Sequence, residues 1–267
     1  MPDFDTENDK LNLFIDTILL LDFLFGLCLT VLMTLYCLYD PRAVIFIGSM
    51  IPEEYFHFTL KILVILFHSF VLIGACLHVT IFGGIILVYL FYVTVFLARE
   101  LRMGERMEYM TTDSLRVSMN IRKVYRSFQV LNGNFMSFFG IFVFFFHSGF
   151  TVEIIYSIYI LFRFWHTWDN VTKAPLIIGI PGQMGFWSIV LWLGGYLYIK
   201  GVKLLKSWER SSWGMGVKED KIMQKFRRSC EPIVIKHGKQ WVIKRVTLLG
   251  FIKGITRGSG RALLTLL

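Results

Sequence analysis

Residues 56–98, FHFTLKILVILFHSFVLIGACLHVTIFGGIILVYLFYVTVFLA, run for 43 positions with a single Lys or Arg, Lys61, and no Asp or Glu. A helix or strand with one face in water would be interrupted by polar residues every few positions. As one helix, at about 1.5 Å per residue, this stretch is about 65 Å long, twice a hydrocarbon core. It is either one long helix that leaves the membrane or a tight pair turning near Gly83-Gly84. No polar turn residues surround those glycines, so a single helix is the expectation.

The rest of the chain repeats the theme. Of 267 residues, 55% are hydrophobic and 16% aromatic, with a mean hydropathy of +0.59. Apolar segments occupy residues 11–39 (A), 56–98 (B), 136–164 (C), about 181–199 (D) and 246–267 (E). The expected fold class is all-α, a polytopic membrane helical bundle of about five transmembrane helices with cytoplasmic helical extensions. The opening MPDFDTENDK is acidic and lacks the basic start and cleavage site of a secretory signal, so the first apolar helix must do the targeting.

Positive charge sorts by loop. Residues 99–126 hold seven Lys/Arg and 200–245 hold thirteen, whereas 40–55 and 163–182 hold one and two. Rich loops stay cytoplasmic, which places the N-terminus inside, the C-terminus outside and the sequon Asn170-Val171-Thr172 outside, where it can be glycosylated. The net charge of +9 is thereby explained without nucleic acid. The expected division is helices A and B in 1–98, a cytoplasmic amphipathic helix in 99–135 and helices C and D in 136–199. A cytoplasmic anchor-like region follows in 200–245, then a terminal pore-type helix in 246–267.

Within the basic region Val117, Ile121, Val124, Phe128 and Leu131 follow spacings of 4, 3, 4 and 3. Such a stripe suits packing against other cytoplasmic helices or lying on the inner leaflet; the 3.5 average fits packing better. Residues 218–230 read as a helix stopped by Pro232, and IVIKHGKQWVIK, 233–244, as a small hairpin around His237-Gly238.

Chemistry is sparse. The six histidines form no HxxxH or HExxH pattern, the four cysteines have no metal or disulfide spacing, and neither G-x-S-x-G nor a phosphate-cradling loop is present. The expectation is a non-enzyme with no metal and no cofactor. Asp22 and Glu153 are intramembrane acids, which serve either as single interhelical hydrogen bonds or as polar anchors of a ligand pocket. Tyr55, Phe146 and Tyr156 would supply the apolar wall of that pocket for a small-molecule ligand.

The final segment is the least ordinary. In GFIKGITRGSGRALLTLL, 250–267, Lys253, Arg257 and Arg261 stack on one helical face, and Gly250, Gly254 and Gly258 stack beside them. Each cation near the centre of a lipid-facing helix costs about 2.5–3.5 kcal/mol, so the row must face water or protein. A glycine seam admits a neighbouring backbone, and a wet basic face suits a pore wall. The alternative is an interfacial helix.

The order of parts resembles the insect odorant-receptor and gustatory-receptor superfamily. The resemblance lies in Trp213 in the last cytoplasmic loop, Arg228-Ser229-Cys230-Glu231-Pro232 ending a helix, Gly238, and the closing Leu264-Thr265-Leu266. Pro52 and Tyr55 before segment B add to it. Segments A to E would be that family's third to seventh helices, the first two being absent here. Gly258-Ser259-Gly260 stands where the odorant branch usually has Tyr-Ser. The resemblance implies a plasma-membrane, ligand-gated channel subunit in a homo- or hetero-tetramer, its last helix lining a cation pore and its cytoplasmic helix ends forming the anchor. The basic ladder is unusual for a cation pore. A non-conducting accessory protein is the rival reading.

Overall fold

The computed structural model describes residues 3–41, 50–104, 111–210, 217–237 and 241–266. Among the described residues there are six α-helices: α1 (Asp3–Tyr39), α2 (Phe58–Arg99), α3 (Ser118–Arg163), α4 (Asn170–Arg210), α5 (Val217–Ser229) and α6 (Arg245–Leu266). A two-stranded ribbon, β1 (Lys236–His237) and β2 (Trp241–Val242), precedes α6. The strands are antiparallel, Lys236 facing Val242 and His237 facing Trp241, so the hairpin forms where the sequence places it. Gly238 and Trp213 lie outside the described residues.

Segment B is one helix, α2, running through Gly83 and Gly84 without a break. Among the described residues four helices, α1 to α4, have stretches long and apolar enough to cross a bilayer. α6 is not among them, against the expectation of five. Its 22 residues carry Lys253, Arg257 and Arg261 spread along it, and no 18-residue window within it avoids any of the three.

Two boundaries also differ from the expectation. α3 is continuous from Ser118 to Arg163, joining the amphipathic stretch to segment C with no break at 135–136. A shift in composition marks where a helix changes solvent, and nothing between 118 and 163 is a proline that would stop it. α4 begins at Asn170 and keeps Pro175 and Pro181 inside. Each proline removes one backbone hydrogen bond, which interrupts a helix locally without ending it when packing holds both sides.

Helix contacts fall into two compact units. The first comprises residues 1–85, 154–186 and 259–267. Its helices meet at small residues: the Phe25 ring sits against Gly182, Leu29 lies 3.6 Å from where a Cβ on Gly179 would be, and Cys76 Sγ lies 2.7 Å from that point on Gly26. Glycine there lets helices approach closely, as packing among apolar helices requires. Asp169 caps α4, its carboxylate accepting from the Thr172 backbone N–H at 2.9 Å. Hydrogen bonds from the Thr172 hydroxyl and N–H, with the Tyr39 hydroxyl adding to them, hold the Asp169 carboxyl below the usual carboxylate range.

The second unit comprises residues 86–153 and 187–258. Its core includes Leu90, Leu97, Ile121, Leu191, Leu204 and Trp208, all fully or almost fully buried. Polar side chains fasten it at heptad intervals along α3. Ser118 donates to Glu219 Oε2 at 2.8 Å, Tyr125 donates to the Glu231 carbonyl at 2.8 Å, and Asn132 Nδ2 donates to the Val234 carbonyl at 3.1 Å. Asn132 Oδ1 in turn accepts from Tyr89 at 2.8 Å. Tyr125 packs edge-on to Trp208 at 5.1 Å, and the Trp208 indole donates to the Leu101 carbonyl at 2.9 Å. Asn132→Ala is expected to leave the Tyr89 hydroxyl and the Val234 carbonyl unpaired, costing about 2–4 kcal/mol. Thermal unfolding in detergent reads the loss.

Candidate functional site

The approach to α6 is set by glycines on α4. A Cβ on Gly194 would meet Ile243 Cγ2 at 2.9 Å, and one on Gly201 would meet the Ile233 carbonyl oxygen at 3.1 Å. At Gly195 the clash is with backbone, Arg245 N and Cα both at 2.9 Å. The first residue of α6 therefore lies directly on α4, at a distance only glycine permits. Thr247 Oγ1 accepts from the Lys244 backbone N–H at 2.9 Å and fixes the turn into the helix. Gly195→Ala is expected to shift the start of α6 by several tenths of an ångström and to cost about 1–3 kcal/mol, as overpacking does. A lowered midpoint of thermal unfolding checks it.

α6 packs by one face. Phe251, Ile255 and Ser259 are buried, each one position beyond a glycine of the predicted seam. Among the described residues, a Cβ added at Gly250 or Gly254 would meet nothing within 4 Å, so the space beside those two glycines is open. Gly258 is half-buried, and Lys253, Arg257 and Arg261 are all exposed. Around the helix the order is buried row, glycine row, cation row, as the four-residue steps dictate. The Ser259 hydroxyl is buried and has no hydrogen-bond partner among the described residues.

Beneath Phe251 lies a ring cluster centred on His147 of α3. The Trp187 indole N–H, which can only donate, bonds His147 Nδ1 at 3.0 Å. Nδ1 is thus the acceptor, and a neutral ring carries its proton on Nε2. Trp241 of β2 stands 5.4 Å from the imidazole and Phe251 5.7 Å. Phe146 stacks on Phe150 at 5.8 Å, and Phe150 lies 5.5 Å from Trp187. His147 accordingly joins α3, α4, β2 and α6.

Of the pocket residues read from the sequence, Phe146 belongs to this cluster. Glu153 is exposed, in the same compact unit. Tyr55, at the end of the turn Glu53–Tyr55, and Tyr156 are exposed and belong to the other unit. The Asp22 side chain lies outside the described residues. Asn170 is the first residue of α4, exposed and beside its Asp169 cap. Trp187, Trp241 and Phe251 were not singled out from the sequence. Their separation along the chain hides them, because only the fold brings them onto one histidine. Among the described residues no group of three or more His, Cys, Asp or Glu could hold a metal ion.

No family model matches the chain, and no curated protein sequence does either.

Proposed function

We propose that the chain is a subunit of a ligand-gated ion channel of the insect chemoreceptor type, in the plasma membrane, assembled as a tetramer around α6. One observation carries the reading. α6 starts against Gly195 and is anchored at Phe251 to the His147 cluster, so it follows α4 back toward its apolar length while its cations stay exposed. Arg257 stands about 18 Å along the helix from Arg245. At that depth a lipid-facing cation is expensive, and a water-filled axis relieves the cost. The aromatic residues around Phe146 offer the apolar surface that a small organic ligand would need.

The test is current. Cells expressing the chain, alone or with a partner subunit, are expected to show ligand-evoked conductance under a panel of volatile and soluble organic compounds. Surface-expressed oligomer without current under any of them would sink the channel reading in favour of a non-conducting accessory subunit. The same reading puts Asn170 outside and residues 99–126 and 200–245 inside. Asn170→Gln is expected to remove the one glycosidase-sensitive increment of mass; labelling of residues 99–126 by an impermeant reagent on intact cells would overturn the topology.

A further inference from the structure

α4 carries a band in which exposed apolar surface gives way to rings and then to cations. Ile189 is exposed, Trp192 is 50% and Tyr196 37% exposed, and the two rings stack at 5.7 Å, one turn apart. One turn further, Lys200 places its Nζ 4.9 Å from the centre of the Tyr196 ring. On a neighbouring face Lys244 Nζ lies 5.8 Å from the Tyr198 ring, and Arg245, whose backbone rests on Gly195, is exposed. Lys203 is exposed three residues beyond Lys200.

Among the described residues no carboxylate pairs with Lys200, Lys203, Lys244 or Arg245. Three acids of the same unit pair with other cations: Glu209 with Arg227 at 3.0 Å, Glu231 with Lys236 at 3.2 Å and Glu219 with Arg122 at 3.7 Å.

We propose that this band, Trp192, Tyr196, Lys200, Lys244 and Arg245, is a binding surface for the phosphate headgroups of anionic phospholipid at the cytoplasmic leaflet. The order apolar, aromatic, cationic along one helix is the depth profile of a bilayer interface, with amphipathic rings at headgroup level and long basic side chains reaching outward. An acidic protein partner would need the charge but not the gradient. Unpaired Lys and Arg at that level attract anionic lipid, and the guanidinium of Arg245 suits a phosphate in two-pronged fashion. The inference rests on the membrane reading and not on conduction, so a chain that passes no current can still satisfy it.

The experiment uses the full chain, reconstituted in vesicles of equal parts phosphatidylcholine and phosphatidylserine and re-extracted in mild detergent. The co-purified lipids are measured by mass spectrometry. The wild type is expected to retain phosphatidylserine in excess. The variant Lys200→Gln/Lys244→Gln/Arg245→Gln is expected to lose that excess by roughly fivefold per cation. A control removing equal charge from α5, Lys218→Gln/Lys221→Gln/Lys225→Gln, is expected to leave it unchanged. If the Arg245 change disturbs the start of α6, the pair Lys200→Gln/Lys203→Gln, the first half-buried and the second exposed, carries the same comparison. No excess in the wild type, or equal losses in the band and α5 variants, would overturn the proposal.

Discussion

Ile121→Asp is expected to prevent the second unit from folding, whatever the oligomeric state. Ile121 is fully buried on α3, one turn before Tyr125, which is equally buried and tied to the Glu231 carbonyl. Losing the buried side chain removes about 1.5–3 kcal/mol, and a carboxylate without a partner adds a further penalty, so about 4–5 kcal/mol in all is expected. Loss of the monodisperse peak in mild detergent, with Ile121→Val nearly unchanged, checks it. Phe128→Asp is expected to cost less, since Phe128 is only half-buried. A helix resting on the leaflet would lose membrane affinity from both changes and keep its fold in detergent. Retention of the wild-type profile by Ile121→Asp would therefore contradict the packing described here.

If the proposed channel reading holds, Arg257→Gln is expected to change ion selectivity more than any other single substitution on α6. In a symmetric tetramer Arg257 becomes a ring of four positive charges. At about 8 Å from the axis each repels a cation by about 0.5 kcal/mol even in water, so the ring contributes about 2 kcal/mol. Removing it corresponds to roughly a thirtyfold gain in cation occupancy, and the reversal potential under a salt gradient is expected to move toward the cation value. Lys253 and Arg261 are expected to matter less. Lys253 lies nearer the start of the helix, and Arg261 lies near the opposite end, where it can reach out to headgroups. If Arg257→Gln leaves selectivity and conductance untouched while Gly254→Leu abolishes assembly, α6 is a packing helix and the pore reading fails. Gly254 suits that control because a Cβ there meets nothing within 4 Å among the described residues, which points to a second copy as the source of the cost.

The apolar run of α2, the hairpin before α6 and the helix ending at Ser229 were all legible in the sequence, because each depends on local pattern. Hydropathy over twenty residues decides whether a helix suits lipid, and a proline or a turn pair decides where a short element stops. The three cation positions on α6 and their common face were equally plain, since four-residue steps on a helix need no partner to be read.

What only the tertiary structure decided is which face of each helix finds a neighbour. The stripe read on α3 was built from apolar residues, and of these Ile121 is fully buried while Leu131 is exposed. The seam that packs contains Ser118, Tyr125 and Asn132, polar residues that a search for hydrophobic periodicity passes over. They are buried because Glu219, the Glu231 carbonyl and the Val234 carbonyl, about a hundred residues away, satisfy their hydrogen bonds. α6 shows the same division: its sequence placed the glycines beside the cations, but the fold chose Phe251, Ile255 and Ser259 as the contact row. The boundaries of α3 and α4 follow suit, because a helix ends where its backbone loses partners and not where its side chains change solvent. Burial is a property of pairs of surfaces, and a sequence presents only one surface of each pair.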